Sequence, residues 1–207
     1  MYKIMSLLCV VLAATVSLRA EVVPSNMFGN GMVLQREMPV PVWGNADPGE
    51  KVSVAFAGQK KTAVTDAEGR WKVSLDALKA SAKGAQLTIA GKNAVTFTDV
   101  LVGEVWVCSG QSNMQMGYGS VPELKALLSK AEQLPIRHFA VTTFVSFEPL
   151  ENPRGAWSTK PANSAVAFGL SYHLQQQLGV PVAVIQTCWG SSSIEGWMPL
   201  DMTEQLP

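Results

Sequence analysis

The periodicity of the apolar residues changes near Val102, and this change constrains the fold more than any other feature of the sequence. Before it, apolar residues recur at every second position, as in Val52, Val54 and Phe56. A period of two is typical of β-strands with one buried face. After Val102, short apolar runs alternate with segments of helical periodicity. The chain is therefore predicted to combine an all-β part with an α/β part.

Residues 21–102 form the predicted β part. Its apolar runs are separated by turn-forming sequences: Asp47-Pro48-Gly49, Asp66-Ala67-Glu68-Gly69 and Gly91-Lys92-Asn93. Short strands at this spacing predict a small antiparallel β-sandwich. Such a sandwich serves as a structural spacer, as a lid beside an active site or as a sugar-binding module. A structural role is favoured, because no residue pattern in this part carries catalytic chemistry.

Residues 103–207 form the predicted α/β part, in which strands and helices alternate. This order predicts a doubly wound α/β sheet, in which ligands bind at the carboxyl ends of the strands. The predicted strands are 105–108, 136–145 and 182–185, the predicted helices are 121–133 and 164–178, and 148–161 is predicted to be irregular. Two loops follow carboxyl ends of these strands: 109–114 and 187–197.

Both loops contain residues suited to acyl transfer. Gly110 and Ser112 place a hydroxyl on a tight turn after a strand, where the oxygen is exposed and nearby backbone N–H groups can stabilise an oxyanion. Gly190 follows the last predicted strand, and its missing side chain allows close approach to its N–H. This pattern is also compatible with an ordinary polar turn.

Four sequence blocks, in this order along the chain, resemble the sialate O-acetylesterase family. This family is a branch of the Ser-Gly-Asn-His (SGNH) hydrolases. The blocks are MVLQR at 32–36, PVWG at 41–44, GEVWVCSGQSNM at 103–114 and WGSSSIEGWM at 189–198. The resemblance covers nearly all of the chain after residue 20. It implies that 103–207 is the first part of an SGNH-hydrolase-like α/β/α domain, preceded by the family's β domain.

The resemblance also implies a reaction and the residues that perform it. Ser112 matches the nucleophile, with its own N–H in the oxyanion hole, and Gly190 matches the glycine that completes this hole. The implied reaction removes O-acetyl groups from sialic acids through an acetyl-serine, without a metal or organic cofactor. The family commonly has a second glycine and then Thr after this position, whereas Ser191 and Ser192 follow Gly190 here.

Two further family blocks have no match: one with an oxyanion-hole Asn, and a last one with Asp-x-x-His. The chain contains two histidines, His138 and His173, and neither follows an Asp at a useful spacing. Both are therefore predicted to be structural. The chain is predicted to be the N-terminal, truncated part of a longer esterase, inactive by itself.

Several alternatives remain open on the sequence. One alternative is that the protein is a non-catalytic remnant with a carbohydrate-binding or accessory role. Another is that it is an acetylesterase acting on xylan or another acetylated glycan. Arg137 and Arg154 are the nearest candidates for binding a sialic acid carboxylate. Cys108 and Cys188 both fall at the ends of predicted strands, and a disulfide between them is an open question.

Residues 1–20 resemble a secretory signal peptide. Lys3 precedes an apolar run from Ile4 to Val16, which is short for a membrane span, and Ala20 is a candidate cleavage position. A retained anchor is the alternative. The protein is therefore expected to be secreted or periplasmic, and not membrane-bound after cleavage. Sixteen basic and sixteen acidic residues give zero net charge, so no nucleic acid partner is expected.

Overall fold

The computed structural model describes residues 21–146 and 150–204 of the chain. The predicted signal peptide lies outside these residues. Within the described ranges, no helix has the length and apolar character needed to span a membrane.

The first eight strands build two sheets that pack face to face. Strands β1, β3 and β6 form a three-stranded antiparallel sheet, opposite the antiparallel strands β8, β7, β4 and β5, while β2 pairs with β8 in parallel. The strands are β1 Val23–Pro24, β2 Val33–Gln35, β3 Val40–Asn45, β4 Lys51–Phe56, β5 Gln59–Val64, β6 Arg70–Leu75, β7 Ser81–Ala90 and β8 Ala94–Gly110.

The alternating apolar residues fill the space between these two sheets. Val42 and Leu75 of the small sheet and Val54 and Ile89 of the larger one are fully buried. All four belong to one apolar cluster, which contains side chains from both sheets. Burying each such side chain stabilises the fold by about 1.5–3 kcal/mol. The sandwich therefore has a hydrophobic core of its own.

Strand β8 belongs to both parts of the molecule. Its first half pairs with β7 as far as Val102, and its second half, from Glu104 to Gly110, pairs in parallel with β11, Val182–Cys188. The predicted boundary between the β part and the α/β part falls between residues 102 and 103. In the structure these two residues are consecutive in strand β8. The sandwich and the α/β layer share this strand, which fixes where its carboxyl end lies relative to the sandwich.

The second half of β8 and the chain beyond Gly110 form the α/β layer. The strand order in its sheet is β10, β9, β11, β8. The first strand of this order is antiparallel to its neighbour, and the other three are parallel. The new elements are α1 Ser112–Gln115, α2 Pro122–Ala131, β9 Ile136–Val141, β10 Gly155–Ser158, α3 Ala165–Leu178 and α4 Leu200–Thr203, with 3₁₀ turns at Tyr118–Ser120 and Glu195–Trp197.

The α/β class is confirmed, and the differences from the sequence prediction are local. Strand β9 ends at Val141 rather than at Val145, and β10 lies in the segment predicted to be irregular. Trp157 is the only large apolar residue of β10, so the segment shows no alternating pattern. Antiparallel pairing with β9 stabilises it instead.

Helices α2 and α3 lie on the same face of this sheet. Phe168 of α3 is buried against Ile136 of β9 and Ala131 of α2. The hydroxyl of Ser164 caps α3 by accepting a hydrogen bond from the N–H of Ala167 at 3.1 Å, and α3 ends at Gly179, whose φ is 65°. A left-handed residue of this kind commonly ends a helix.

Candidate active site

The two loops chosen from the sequence lie side by side at the carboxyl ends of β8 and β11. Gly110 and Cys188 are register partners in this parallel pair. Beyond them, the N–H of Trp189 donates to the carbonyl of Gly110 at 3.0 Å. Ser112 and Gly190 each follow the paired residues by two positions. The structure therefore brings the predicted nucleophile and the predicted oxyanion donor to the same edge of the sheet.

Ser112 is the first residue of α1, directly after a sharp turn. Gly110 has a φ of 134°, which residues with a side chain rarely adopt, so glycine is required for this turn. Ser112 is exposed to solvent. Both its Oγ, at 2.5 Å, and its backbone N–H, at 3.0 Å, donate to Oε1 of Gln111. The hydroxyl is thus held in an accessible position.

Gln115 is a residue of the site that the sequence analysis missed. Its Oε1 accepts a hydrogen bond from the N–H of Gly190 at 2.6 Å. Gln115 lies three residues after Ser112, so both side chains project from the same face of α1. That spacing is the signal in the sequence that indicates its proximity to Ser112. An amide oxygen therefore occupies the position in front of the Gly190 N–H.

The loop after β11 is stabilised by its own hydrogen bonds. The hydroxyl of Ser192 donates to the carbonyl of Trp189 at 2.7 Å and accepts from the indole N–H of Trp197 at 2.7 Å. Ser191 has a φ of 63°, in the left-handed region that favours glycine. The departure from the family pattern at this position thus places a serine in a backbone conformation suited to the glycine it replaces.

Glu195 begins the 3₁₀ turn of this loop. Hydrogen bonds from its own backbone N–H and from the hydroxyl of Ser193 lower the pKa of its carboxyl group. The carboxylate is therefore held within its own loop, which fits a role in bracing the turn.

A small cavity lies beside the second of the two loops, at the carboxyl ends of β9 and β11. It has a volume of about 210 Å³ and is lined by Val141, Thr142, Thr143, Phe144, Thr187, Cys188, Trp189 and Trp197. Sites for drug-sized ligands occupy roughly 300–1,000 Å³, so this cavity suits a small substituent. Trp189 and Trp197 give this cavity two aromatic walls.

Neither histidine lies next to Ser112. His138 of β9 is level with Val184 of β11, and Val184 is level with Trp106 of β8. Trp106 lies four residues before Gly110, the last residue of β8. At about 3.3 Å per residue, His138 lies roughly 13 Å before the carboxyl end of β8. The His138 Nδ1 is 2.8 Å from the carbonyl oxygen of Lys160.

His173 lies on the exposed side of α3. It is nine residues after the helix cap Ser164, about 13 Å along the helix axis at 1.5 Å per residue. The start of α3 is the end that adjoins α1, where the N–H of Ala165 donates to the carbonyl of Met116 at 2.8 Å. His173 contacts the ring of Tyr172 edge to face. Both histidines therefore lie away from Ser112, and their structural roles stay a prediction.

The two candidate arginines differ in position. Arg137 forms an ion pair with Asp99 of β8 at 3.2 Å, before the carboxyl end of β9. Arg154 lies at that end, since its carbonyl accepts from the N–H of Thr142 at 2.9 Å and its guanidinium lies 4.1 Å from the centre of the Phe144 ring. Only Arg154 is therefore near the small cavity.

Cys108 and Cys188 are both free thiols in this structure. Cys108 is in register with Gln186, and the side-chain amide of Gln186 donates to the Cys188 sulfur at 3.5 Å. Cys108 is only 3% exposed, and this burial raises the pKa of its thiol. Among residues 21–146 and 150–204, no group of three or more His, Cys, Asp and Glu side chains is arranged to hold a metal ion.

An exposed serine on a turn after a strand and a glycine N–H on the neighbouring loop are features of the serine esterase class. Comparison with known proteins identifies the family. A family model described as carbohydrate esterase, sialic acid-specific acetylesterase, matches residues 102–205. The chain belongs to this family.

The comparisons also identify similar individual proteins. The chain is 32% identical over 193 residues to sialate O-acetylesterase from Mus musculus, covering 81% of this chain and 36% of that protein. The Homo sapiens sialate O-acetylesterase is 31% identical over 199 residues, with coverages of 84% and 38%. The chain thus spans just over a third of the length of these curated relatives.

A solved structure of a carbohydrate acetylesterase from Xanthomonas citri has a similar fold. The two structures superpose with a TM-score of 0.82 and 32% sequence identity, over 89% of this chain and 44% of that one. The similarity therefore includes the sandwich as well as the α/β layer.

Proposed function

We propose that this chain provides the nucleophile and two oxyanion donors of an esterase that removes O-acetyl groups from sialic acids. The observation that carries the proposal is the adjacency of Ser112 and Gly190 beyond the paired residues Gly110 and Cys188. Family membership supports the carbohydrate ester as substrate class. The names of the mammalian relatives support sialic acid as the sugar.

The proposed reaction begins when Ser112 Oγ attacks the carbonyl carbon of the acetyl group. A base takes the hydroxyl proton, and the carbonyl oxygen becomes an oxyanion that accepts hydrogen bonds from the N–H groups of Ser112 and Gly190. The bond from the carbonyl carbon to the sugar oxygen then breaks. The sugar oxygen takes the proton from the base, and the acetyl group stays on Ser112. Water then hydrolyses this acetyl-serine by the same steps.

Both proposed oxyanion donors already bind an amide oxygen of the protein. The N–H of Ser112 donates to Gln111 Oε1 and that of Gly190 to Gln115 Oε1. A glutamine oxygen satisfies each donor before substrate arrives, so neither N–H is left without a partner. In the proposed mechanism the acetyl oxygen replaces these two acceptors. This step requires the two glutamine side chains to turn aside while the backbone donors keep their positions.

We also propose that residues 21–207 alone do not hydrolyse acetyl esters. A serine hydroxyl needs a base to take its proton near neutral pH, and the positions of His138 and His173 do not suit this role. The purified protein should hydrolyse 4-nitrophenyl acetate no faster than its Ser112→Ala variant. Serine-dependent hydrolysis would contradict this, and substituting each histidine in turn would then identify the base.

The substrate proposal requires a protein that includes a base. A suitable one is a chimera of residues 21–204 with the part of the Xanthomonas citri acetylesterase that follows its matched region. Acetate release is measured from 9-O-acetylated sialic acid and from acetylated xylan. The proposal predicts serine-dependent release from the sialic acid at the higher kcat/KM. Preference for xylan would contradict the sugar assignment, and release from neither substrate by the folded chimera would favour a non-catalytic role.

A further inference from the structure

The sandwich has a cleft larger than the cavity at the carboxyl ends of β9 and β11. It has a volume of about 620 Å³, within the roughly 300–1,000 Å³ typical of small-molecule sites. It lies between the outer face of the β1-β3-β6 sheet and the segment around Asn152, which precedes β10. None of its lining residues belongs to the two loops of the candidate active site. The cleft is therefore a second candidate binding site.

Apolar side chains provide much of the cleft surface. Trp43 projects from the outer face of β3, half-buried, with its ring held edge to face against Phe28 at 4.9 Å between centroids. Pro41 and Val64 continue the apolar surface, and Val64 is 65% exposed. Trp43 thus contributes an aromatic ring to the cleft, and its indole N–H has no partner among the described residues.

Polar groups of both signs surround this apolar surface. Arg70 and Lys72 supply two cations, Asp66 and Glu151 supply two carboxylates, and Asn45 adds a side-chain amide. The charges of these four ionised groups cancel. Arg70 and Asp66 already bind each other at 3.2 Å, and the Asn45 amide donates to the Gly69 carbonyl at 3.3 Å. The cleft therefore presents donors and acceptors that a ligand would share with protein partners, with no excess charge to attract an anion or a cation.

Hydrogen bonds across the cleft hold its two walls together. Asn152 Oδ1 accepts from the hydroxyl of Ser25 at 3.0 Å and from the N–H of Asn26 at 2.7 Å. An Arg70 nitrogen lies 3.9 Å from a carboxylate oxygen of Glu151. The wall that precedes β10 is thus fixed to the sandwich by several contacts, so the cleft does not depend on a single surface loop.

We infer that this cleft binds a neutral saccharide, separately from the Ser112 site. The C–H face of a sugar ring packs against an aromatic ring, and its hydroxyl groups both donate and accept hydrogen bonds. The Trp43 ring and the charge-balanced polar groups match these two properties. A saccharide chain held here would keep the protein on its glycan independently of ester hydrolysis. This assigns a binding role to the sandwich, beyond the proposed esterase reaction.

The inference is tested by titrating the protein with xylohexaose and with N-acetyllactosamine, using N-acetylneuraminic acid as the anionic comparison. Affinity is measured for every variant by isothermal titration calorimetry, and the NMR signal of the Trp43 indole N–H locates the binding in the proteins that retain this residue. A neutral saccharide should shift this signal and bind more tightly than N-acetylneuraminic acid. The Trp43→Ala variant should bind about tenfold more weakly or worse, the usual scale for removing a buried aromatic contact.

A second variant guards against misfolding of the first. Lys72→Ala combined with Glu151→Ala removes two exposed polar groups of the cleft without changing net charge, and it should weaken binding severalfold. Lys60→Ala combined with Glu123→Ala is the matched control outside the cleft and should bind normally. Ser112→Ala should also bind normally, which separates this inference from the esterase proposal. No shift at Trp43 with either neutral saccharide, or tighter binding of the anionic sugar, would overturn the inference.

Discussion

The backbone N–H of Gly190 donates a hydrogen bond of 2.6 Å to Oε1 of Gln115, across the gap between the loop after β11 and helix α1. This contact joins helix α1, which begins in the first loop selected from the sequence, to the second selected loop. It also places a carbonyl-type oxygen where the proposed reaction places the acetyl oxygen. In the proposed reaction, the acetyl oxygen of the substrate takes the place of Gln115 Oε1.

Removing Gln115 should expose the Gly190 N–H. Gln115→Ala deletes the acceptor, and a neutral hydrogen bond contributes about 0.5–1.5 kcal/mol, so hydrogen exchange at the Gly190 amide should accelerate about three- to tenfold. NMR-detected exchange measures this directly. Asn113→Ala, an amide deletion elsewhere on α1, should leave the Gly190 rate unchanged. An unchanged rate in Gln115→Ala would show that the contact does not persist in solution.

Gly190 should tolerate no bulky side chain if its N–H binds the oxyanion. A Cβ at this position would meet the Gln115 side chain, and the branched side chain of Val would obstruct the space in front of the donor. In the chimera, Gly190→Val should lower kcat about 10²-fold, the scale of losing one oxyanion donor. Gly196→Val is the control, since no atom lies within 4 Å of its added Cβ. Equal losses in both variants would remove the support for Gly190.

Gly103 should be required for stability rather than for chemistry. A Cβ there would overlap the backbone carbonyl of Pro181, where the chain enters β11. Because this neighbour is backbone, the overlap cannot be relieved by a rotamer change. Gly103→Ala should lower the free energy of unfolding by about 1–3 kcal/mol or more, measured by urea denaturation. Gly119→Ala, with open space around its Cβ, should cost far less; a similar loss in both would contradict this account.

The two thiols should differ in reactivity. Burial raises the pKa of Cys108, so less of its reactive thiolate forms at a given pH, and access to it is restricted. At mildly alkaline pH, iodoacetamide should modify the half-buried Cys188 well before Cys108, and urea should remove the difference. Peptide mass spectrometry resolves the two sites. Equal rates of modification of the two cysteines in the native protein would contradict the predicted difference in reactivity. A protein mass lower by two hydrogens would show a disulfide and contradict the free thiols.

The sequence predicts the structure best where a residue type is required by the local backbone conformation or by burial of alternate side chains. The period of two located the sandwich strands, because alternate side chains must enter the core. Gly179 marked the end of α3, since a left-handed residue follows the helix. Strand β10 is not predicted, because its own residues show no alternating apolar pattern. It is stabilised by hydrogen bonds to β9, a separate segment of the chain.

The candidate site shows the same division. Ser112 and Gly190 were selected because each stands in a short loop directly after an apolar run. Gln115 was missed because its importance depends on a contact with a residue 75 positions away. The positions of the arginines also required the structure, since only strand register separates Arg137 from Arg154. Local sequence thus indicates the two candidate residues Ser112 and Gly190. The side chains around them are found only from the pairing of distant segments in the structure.

The central claim, that Ser112 is the nucleophile, is tested most directly by acetate release from 9-O-acetylated sialic acid in the chimera. Ser112→Ala should lower kcat about 10⁴-fold or more, because no other group can form the acetyl-enzyme. Ser109→Ala, which removes an exposed hydroxyl three residues earlier, should retain nearly normal turnover. Turnover by the folded Ser112→Ala protein within about tenfold of the unsubstituted chimera would contradict the claim.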